Sequence, residues 1–415
     1  MQNRKSQSEG NEWRDQGFTR PQVLILLPSR NKCFELWNLF NEILGCEQKE
    51  SEQRFNEEYG PPNSETLDPK KPPDFHDLFR GNTDDFFRIG LRINQKKLKI
   101  YSAFYKSDII IASPIGLKSL MTDNNNSNAD YLSSTELAIV DYADALTLQN
   151  WQHVEWIFRS LNLIPKELHD CDFSRVKLAH LEGQAAYLRQ TLLFSQFNLP
   201  ELNTFKTKHM LNVSGALISR PKYDSVLLTS INKVRHIFHR FQSVALPNIA
   251  QDKMKYFQDV IAPNYLNLSN GAGMLLLVSS EIEVFRVRDL LPIGEFDEIS
   301  EHTKNSDIVR ARARFISGET KILVYSLRAH HFRRMQIRGV RRVIFYSVPQ
   351  NPIYYKEIIS FLGLHSTSAA TDSSMNTESI GLFSTWDFML MERIVGTATV
   401  STLFHSQDSK FEYNL

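Results

Sequence analysis

Short, continuous apolar runs recur along the chain, each closed by a residue that favours a turn. They are Val23–Leu27, Ile109–Ala112, Leu137–Val140, Thr191–Phe194, Met274–Val278, Ile322–Tyr325 and Val343–Tyr346. Runs of this length without polar alternation predict strands buried on both faces of a sheet. Helical spacing separates them. Trp151, Val154, Phe158 and Leu161 step along one helix face, and Asn351-Pro352 reads as a cap followed by proline at the first position of a helix running through Ile358 and Ile359. Strands alternating with helices predict an α/β fold with mainly parallel sheets.

Polar stretches divide these elements. Residues 1–20 carry no apolar period and are expected to form a disordered tail. Residues 47–73 are rich in Glu, Lys, Asn and Pro, with too few core formers to offset the entropy of ordering, and predict a disordered insertion. Thr122–Asp130 is a polar loop, and residues 366–379 predict a flexible loop rich in Ser and Thr. A chain of 415 residues favours two domains, expected at 21–220 and 221–415.

Charge narrows the function classes. The 48 Lys and Arg against 47 Asp and Glu leave a net of +1, so any basic site has to be local. Cys33, Cys46 and Cys171 lack CxxC spacing, which fits a reducing compartment and argues against a zinc site. No apolar run approaches the ~20 residues of a membrane span, and no membrane partner is expected.

In open α/β sheets, function gathers at the carboxyl ends of the strands. The residues there are Pro28-Ser29-Arg30-Asn31, Ser113-Pro114-Ile115-Gly116, Asp141-Tyr142-Ala143-Asp144 and Ser195-Gln196-Phe197. Each alone is ordinary turn chemistry. Asp141 in particular reads either as a strand-end turn or helix cap, or as a metal ligand.

The order of these four segments resembles the first lobe of the DEAD-box RNA helicases. VLILLPSRN, IIASPIGLKSL, LAIVDYADAL and RQTLLFSQF stand where that family has its two RNA-gripping segments, its DEAD segment and its lobe-coupling SAT segment. The likeness implies RNA-contacting positions at Arg30, Ser113, Gly116 and Lys118, and a vestigial helicase motif at Asp141, Tyr142, Asp144 and Ser195. It implies two RecA-like, helicase-type lobes. Twenty-two residues precede Val23, so the first lobe is expected to be incomplete at its N-terminus.

The departures bear on chemistry. Phosphoryl transfer needs a phosphate cradle, a lysine, a metal-holding acid and a group that positions water. GxxxxGK[ST] is absent, and Tyr142 stands where the DEAD segment has its Glu. GETKILVYS and VRRVIFYSVP resemble second-lobe helicase strands, but His331-Phe332-Arg333-Arg334 replaces Arg-Gly-x-Asp, and Tyr354-Tyr355-Lys356-Glu357-Ile358 replaces the arginine-finger segment. No catalytic residue, cofactor or metal is expected.

Arg328, Arg333, Arg334, Arg338, Arg341 and Arg342 fall within fifteen residues, interleaved with His330, His331 and Phe332. Arginine forks suit phosphate and rings can stack on bases, so the segment reads as an RNA-backbone site, an acidic-partner site or a solvated surface.

A narrower resemblance rests on GNTDDFFRIG, YSAFYKSDIIIASP, QNW, LIPK, DFSR, SDIVRARARFISGETKILVYSLRAHHFRRMQIRGVRRVIFYSVP and MERIVGT. These segments are similar to the digestive organ expansion factor family. That resemblance implies a nucleolar pseudo-helicase of the small-subunit processome. Its partners would be pre-rRNA, a small nucleolar RNA and other processome proteins, and its role early pre-rRNA processing and 18S rRNA maturation. A helicase with degenerate motifs and a pure protein-interaction module remain the alternatives.

Overall fold

The computed structural model describes residues 13–45, 48–62, 68–94, 97–122, 129–167, 171–229, 234–266, 273–364 and 377–414. The chain divides into two compact units between Ile218 and Ser219. Each unit is an α/β lobe with a mainly parallel sheet. No helix among the described residues is long and apolar enough to cross a membrane.

The first lobe holds β1 (Val23–Leu26), β2 (Gln48–Glu50), β3 (Arg88–Ile93), β4 (Lys97–Lys99), β5 (Ile109–Ala112), β6 (Leu137–Val140) and β7 (Gln190–Leu193). Their order in the sheet is β2-β4-β3-β5-β1-β6-β7. β5, β1, β6 and β7 run parallel, so their carboxyl ends, the four segments singled out in the sequence, share one edge. β3 pairs antiparallel with β5.

The second lobe holds β8 (Arg235–Arg240), β9 (Met274–Val278), β10 (Phe296–Ile299), β11 (Ile322–Ser326), β12 (Arg342–Phe345), β13 (Glu378–Phe383) and β14 (Lys410–Asn414). The order is β10-β11-β9-β12-β13-β8-β14, with only β14 antiparallel. Alternation along β9 explains its unbroken apolar run. Leu275 and Leu277 enter one core cluster, while Met274, Leu276 and Val278 enter the cluster on the other face.

Three expectations about polar stretches need correction. Residues 48–62 of the predicted insertion form β2 and a helix, Glu52–Tyr59. The sparse apolar residues suffice because Phe55 and Tyr59 lie one turn apart and both are buried, with Phe55 against Trp37 at 5.4 Å and Tyr59 at 4.5 Å. The described part of the tail is also attached. Gln16 bridges to Val176, and Phe18 is buried against Phe173 and His180. Glu378 and Ser379 of the predicted 366–379 loop open β13, paired with β12 and β8. Residues 1–12, 63–67 and 365–376, and Cys46, lie outside the described residues. Cys33 and Cys171 are free thiols, and burial pushes the Cys33 thiol well up.

Candidate functional site

The first lobe brings its four strand-end segments together, and their polar groups are spent on the chain itself. Ser29 caps the helix Arg30–Leu44 by accepting from the Lys32 N–H. Gln149 Nε2 donates 3.0 Å to the Pro28 carbonyl, tying the helix after β6 to the end of β1. Asp144 Oδ1 accepts from the Gln196 N–H at 3.1 Å and from Ser195 Oγ at 3.4 Å, tying β6 to β7. Asp141 Oδ1 accepts from the Tyr142 N–H at 2.8 Å.

A residue the sequence reading missed stands at the centre. The Lys32 side chain is 2% exposed, and its ammonium lies 2.8 Å from Glu35, 3.0 Å from Asp77 and 4.8 Å from the centre of the Tyr142 ring. Burial opposes its charge, yet hydrogen bonds to Glu35, Tyr142 and Asp77 hold its pKa above the usual value. Burial raises the Asp141 carboxyl, while the Tyr142 N–H and the Lys32 charge draw it back. Tyr142 holds a left-handed backbone, φ 54°, at the mouth of the helix Ala143–Ser160. The signal for Lys32 was its place in the first turn after the capping Ser29, but its partner Asp77 lies on a distant helix.

Each of the expected RNA-contacting residues of the first lobe also interacts within the fold. Arg30 donates to the Phe86 carbonyl at 3.0 Å and pairs with Asp84 at 2.9 Å. Ser113 is fully buried, its hydroxyl accepting from the Phe87 and Gly116 N–H groups. A methyl group at Gly116 would run into the Phe87 carbonyl oxygen, so this glycine permits a close backbone approach. Lys118 is half-buried on the helix Pro114–Thr122, its charge acting on His153.

In the second lobe the six arginines disperse. Arg334 is buried, 3.0 Å from Glu357 and 4.2 Å over the Tyr354 ring. Arg342 pairs with Glu378 at 3.2 Å and donates to the Tyr265 carbonyl. Arg333 donates to the Thr303 carbonyl and the Asn305 side chain, bracing the start of the helix Asn305–Ser317. Arg328 is half-buried, 3.9 Å from Glu301. Of the six, Arg338 and Arg341 are the exposed ones. Arg341 immediately precedes β12, so it stands at the amino ends of the parallel strands, opposite the carboxyl edge. Two of the interleaved rings, His330 and His331, are buried in the fold. His330 is buried against Tyr325 and Glu357, and His331 against the Tyr354 hydroxyl at 2.6 Å.

A second missed cluster lies at the carboxyl ends of β9 and β12. Glu283 accepts from Lys253 at 2.6 Å, from Ser347 Oγ at 2.6 Å and from the Ser279 N–H at 2.7 Å. Burial opposes the Glu283 charge, but Lys253 and these donors hold its pKa below the ordinary value. No group of three potential metal-ligating side chains occurs among the described residues.

Solved helicase structures share low identity with the chain. A hypothetical ATP-dependent RNA helicase from Sulfolobus tokodaii is 16% identical, with 90% of this chain and 83% of that one covered, at a TM-score of 0.30. Saccharomyces cerevisiae Dbp5 bound to RNA and ADP BeF3 is 13% identical, with 94% and 77% covered, at 0.31. Among curated proteins, "U3 small nucleolar RNA-associated protein 25" of Debaryomyces hansenii is 39% identical over 422 residues, covering 100% of this chain and 58% of that protein. The protein of the same name from Schizosaccharomyces japonicus is 40% identical over 412 residues, covering 98% and 64%. The chain thus spans about three fifths of the length of these relatives. Residues 1–217 match the model of the UTP25 NTP hydrolase-like domain and residues 226–413 that of the Utp25 C-terminal domain. With both domains matched in order across nearly its whole length, the chain belongs to the Utp25 family.

Proposed function

We propose that the chain is a non-catalytic RNA- and protein-binding scaffold of the nucleolar small-subunit processome, acting in early pre-rRNA processing and 18S rRNA maturation. Family membership carries this reading, since the relatives are named for association with U3 small nucleolar RNA. The likeness to the digestive organ expansion factor family belongs to the same reading. Its partners would be pre-rRNA, a small nucleolar RNA and other processome proteins.

The absence of catalysis is supported by the closed first-lobe edge. A working phosphoryl-transfer site keeps acids free for metal and water. Here Asp144 is engaged with Ser195 and Gln196, and Lys32 supplies the positive charge beside Asp141 and Tyr142. RNA-stimulated ATP hydrolysis abolished by Asp141→Ala would overturn this reading.

Arg338 and Arg341 are the arginines of the basic segment best placed to meet phosphate. Charge reversal at both, Arg338→Glu with Arg341→Glu, is expected to reduce in-cell RNA crosslinking several-fold and to flatten the salt dependence of RNA binding by the purified chain. Unchanged crosslinking removes this segment from the RNA site. A pure protein-interaction module is favoured by the engagement of Arg333, Arg334 and Arg342 within the fold. It predicts co-purification with processome proteins without RNA crosslinks.

A further inference from the structure

The helix Arg30–Leu44 is apolar on more than the face it buries. Cys33 and Trp37, both buried, set it against the first-lobe core. Leu36, Leu39, Phe40 and Ile43 follow at helical spacing, roughly a quarter turn round the axis from that face. Leu36 and Phe40 are half-buried at the rim of the core, but Leu39 is 52% and Ile43 77% exposed, and Leu44 in the last turn is exposed too. The apolar arc thus runs unbroken out of the core into water. A helix apolar on two adjoining faces is suited to be covered on both.

The exposed charges beside this stripe share one sign. Glu35 and Glu42 lie on the helix edge next to Leu39, and both are exposed. The helix has two bases, and both are engaged within the fold: Arg30 pairs with Asp84, and the buried Lys32 ammonium lies against Glu35 and Asp77. RNA phosphate or an anionic lipid headgroup would therefore meet acid here. A second copy docked two-fold on the same face would set these acids against each other. An apolar stripe bordered by bases is the complement of both the shape and the charge.

We infer that this face of the helix Arg30–Leu44 docks a basic amphipathic helix of a partner protein. Apolar residues of the partner, one turn apart, would lie on Leu39 and Ile43, and its lysines or arginines would reach Glu35 and Glu42. The docking gives the protein-binding part of the proposed scaffold a surface and a partner class, and rests on that part alone. It holds whether or not the chain binds RNA.

Site-specific photo-crosslinking in living cells tests it, with p-benzoyl-phenylalanine installed in place of Ile43 in the full chain and the crosslinked peptides identified by mass spectrometry. The expected product joins position 43 to a protein segment with apolar residues at helical spacing and lysine or arginine beside them. Leu39→Glu combined with Glu42→Lys should lower its yield about tenfold. Both side chains are exposed, so the thermal midpoint of the purified variant should move by less than about 2 °C. Crosslinks to RNA, to a second copy of the chain or to an acidic segment overturn the inference, as does the absence of any protein crosslink or a yield that the variant leaves unchanged. A basic amphipathic segment from a protein outside the processome supports the docking and counts against the processome reading. Co-purification with processome proteins without the expected crosslink sinks the docking alone.

Discussion

Arg334 and Arg338 lie four residues apart in the same basic segment, and their surroundings give them opposite roles. Arg334 takes a left-handed backbone, φ 44°, and is buried between Glu357 and the Tyr354 ring. Arg338 is exposed. Removing one partner of a buried pair leaves the other charge desolvated, so Arg334→Ala is expected to cost about 3 kcal/mol of stability. Arg338→Ala should change it by less than about 0.5 kcal/mol. Urea denaturation of the two variants separates them, and equal costs would sink the assignment. The sequence shows the density of arginine but not this division, because the deciding acids Glu301, Glu357 and Glu378 come from a loop, a helix and a strand distant along the chain. The same holds for Lys32, whose meaning depends on Tyr142 more than a hundred residues away.

At the scale of elements, the most legible parts were the parallel core strands. β5, β6 and β9 have the bounds that their apolar runs predict, and the helix Pro352–Ser360 begins at the predicted cap, where Asn351 accepts from the Ile353 N–H. Runs buried on both faces advertise themselves, because every position needs an apolar side chain. The strands that escaped notice have mixed composition: β2, β10 and β14 lie at sheet edges, whereas β3 and β13, broken by Arg, Gly or Ser, lie inside. The helix Glu52–Tyr59 was hidden for a related reason: only two of its residues are buried, and the rest are polar. Its hold on the lobe therefore rests on few groups. Phe55→Ala is expected to cost about 3–5 kcal/mol, the transfer and cavity terms of a fully buried ring. Loss of hydrogen-exchange protection across 48–59 would accompany it, whereas a cost under about 1 kcal/mol would show that the helix is dispensable.

At the scale of the whole molecule, the second lobe carries an array of buried histidines. His236 bonds the Tyr355 hydroxyl at 2.8 Å, His239 lies between the Tyr256 and Tyr265 hydroxyls, and His331 bonds Tyr354. Burial lowers the pKa of His236, His239 and His331 to about 4. Below the ordinary histidine pKa near 6.5 the unfolded chain binds protons that the folded lobe does not. Stability is therefore complete above that value and is lost as pH falls from about 6.5 towards about 4. His331→Gln cannot titrate, so its thermal midpoint should fall less over that interval than that of the unmodified chain. Parallel pH profiles of the two would dismiss the role of His331. The sequence by itself determined the α/β class, the core strands and the absence of a phosphate-loop motif, because apolar periodicity and short motifs are local properties of the chain. Tertiary structure alone decided which polar residues face solvent and which close on each other. Partners such as Lys32 with Tyr142 or Arg334 with Glu357 meet only when separate elements pack, and burial then fixes whether a charge serves the fold or remains available to a ligand.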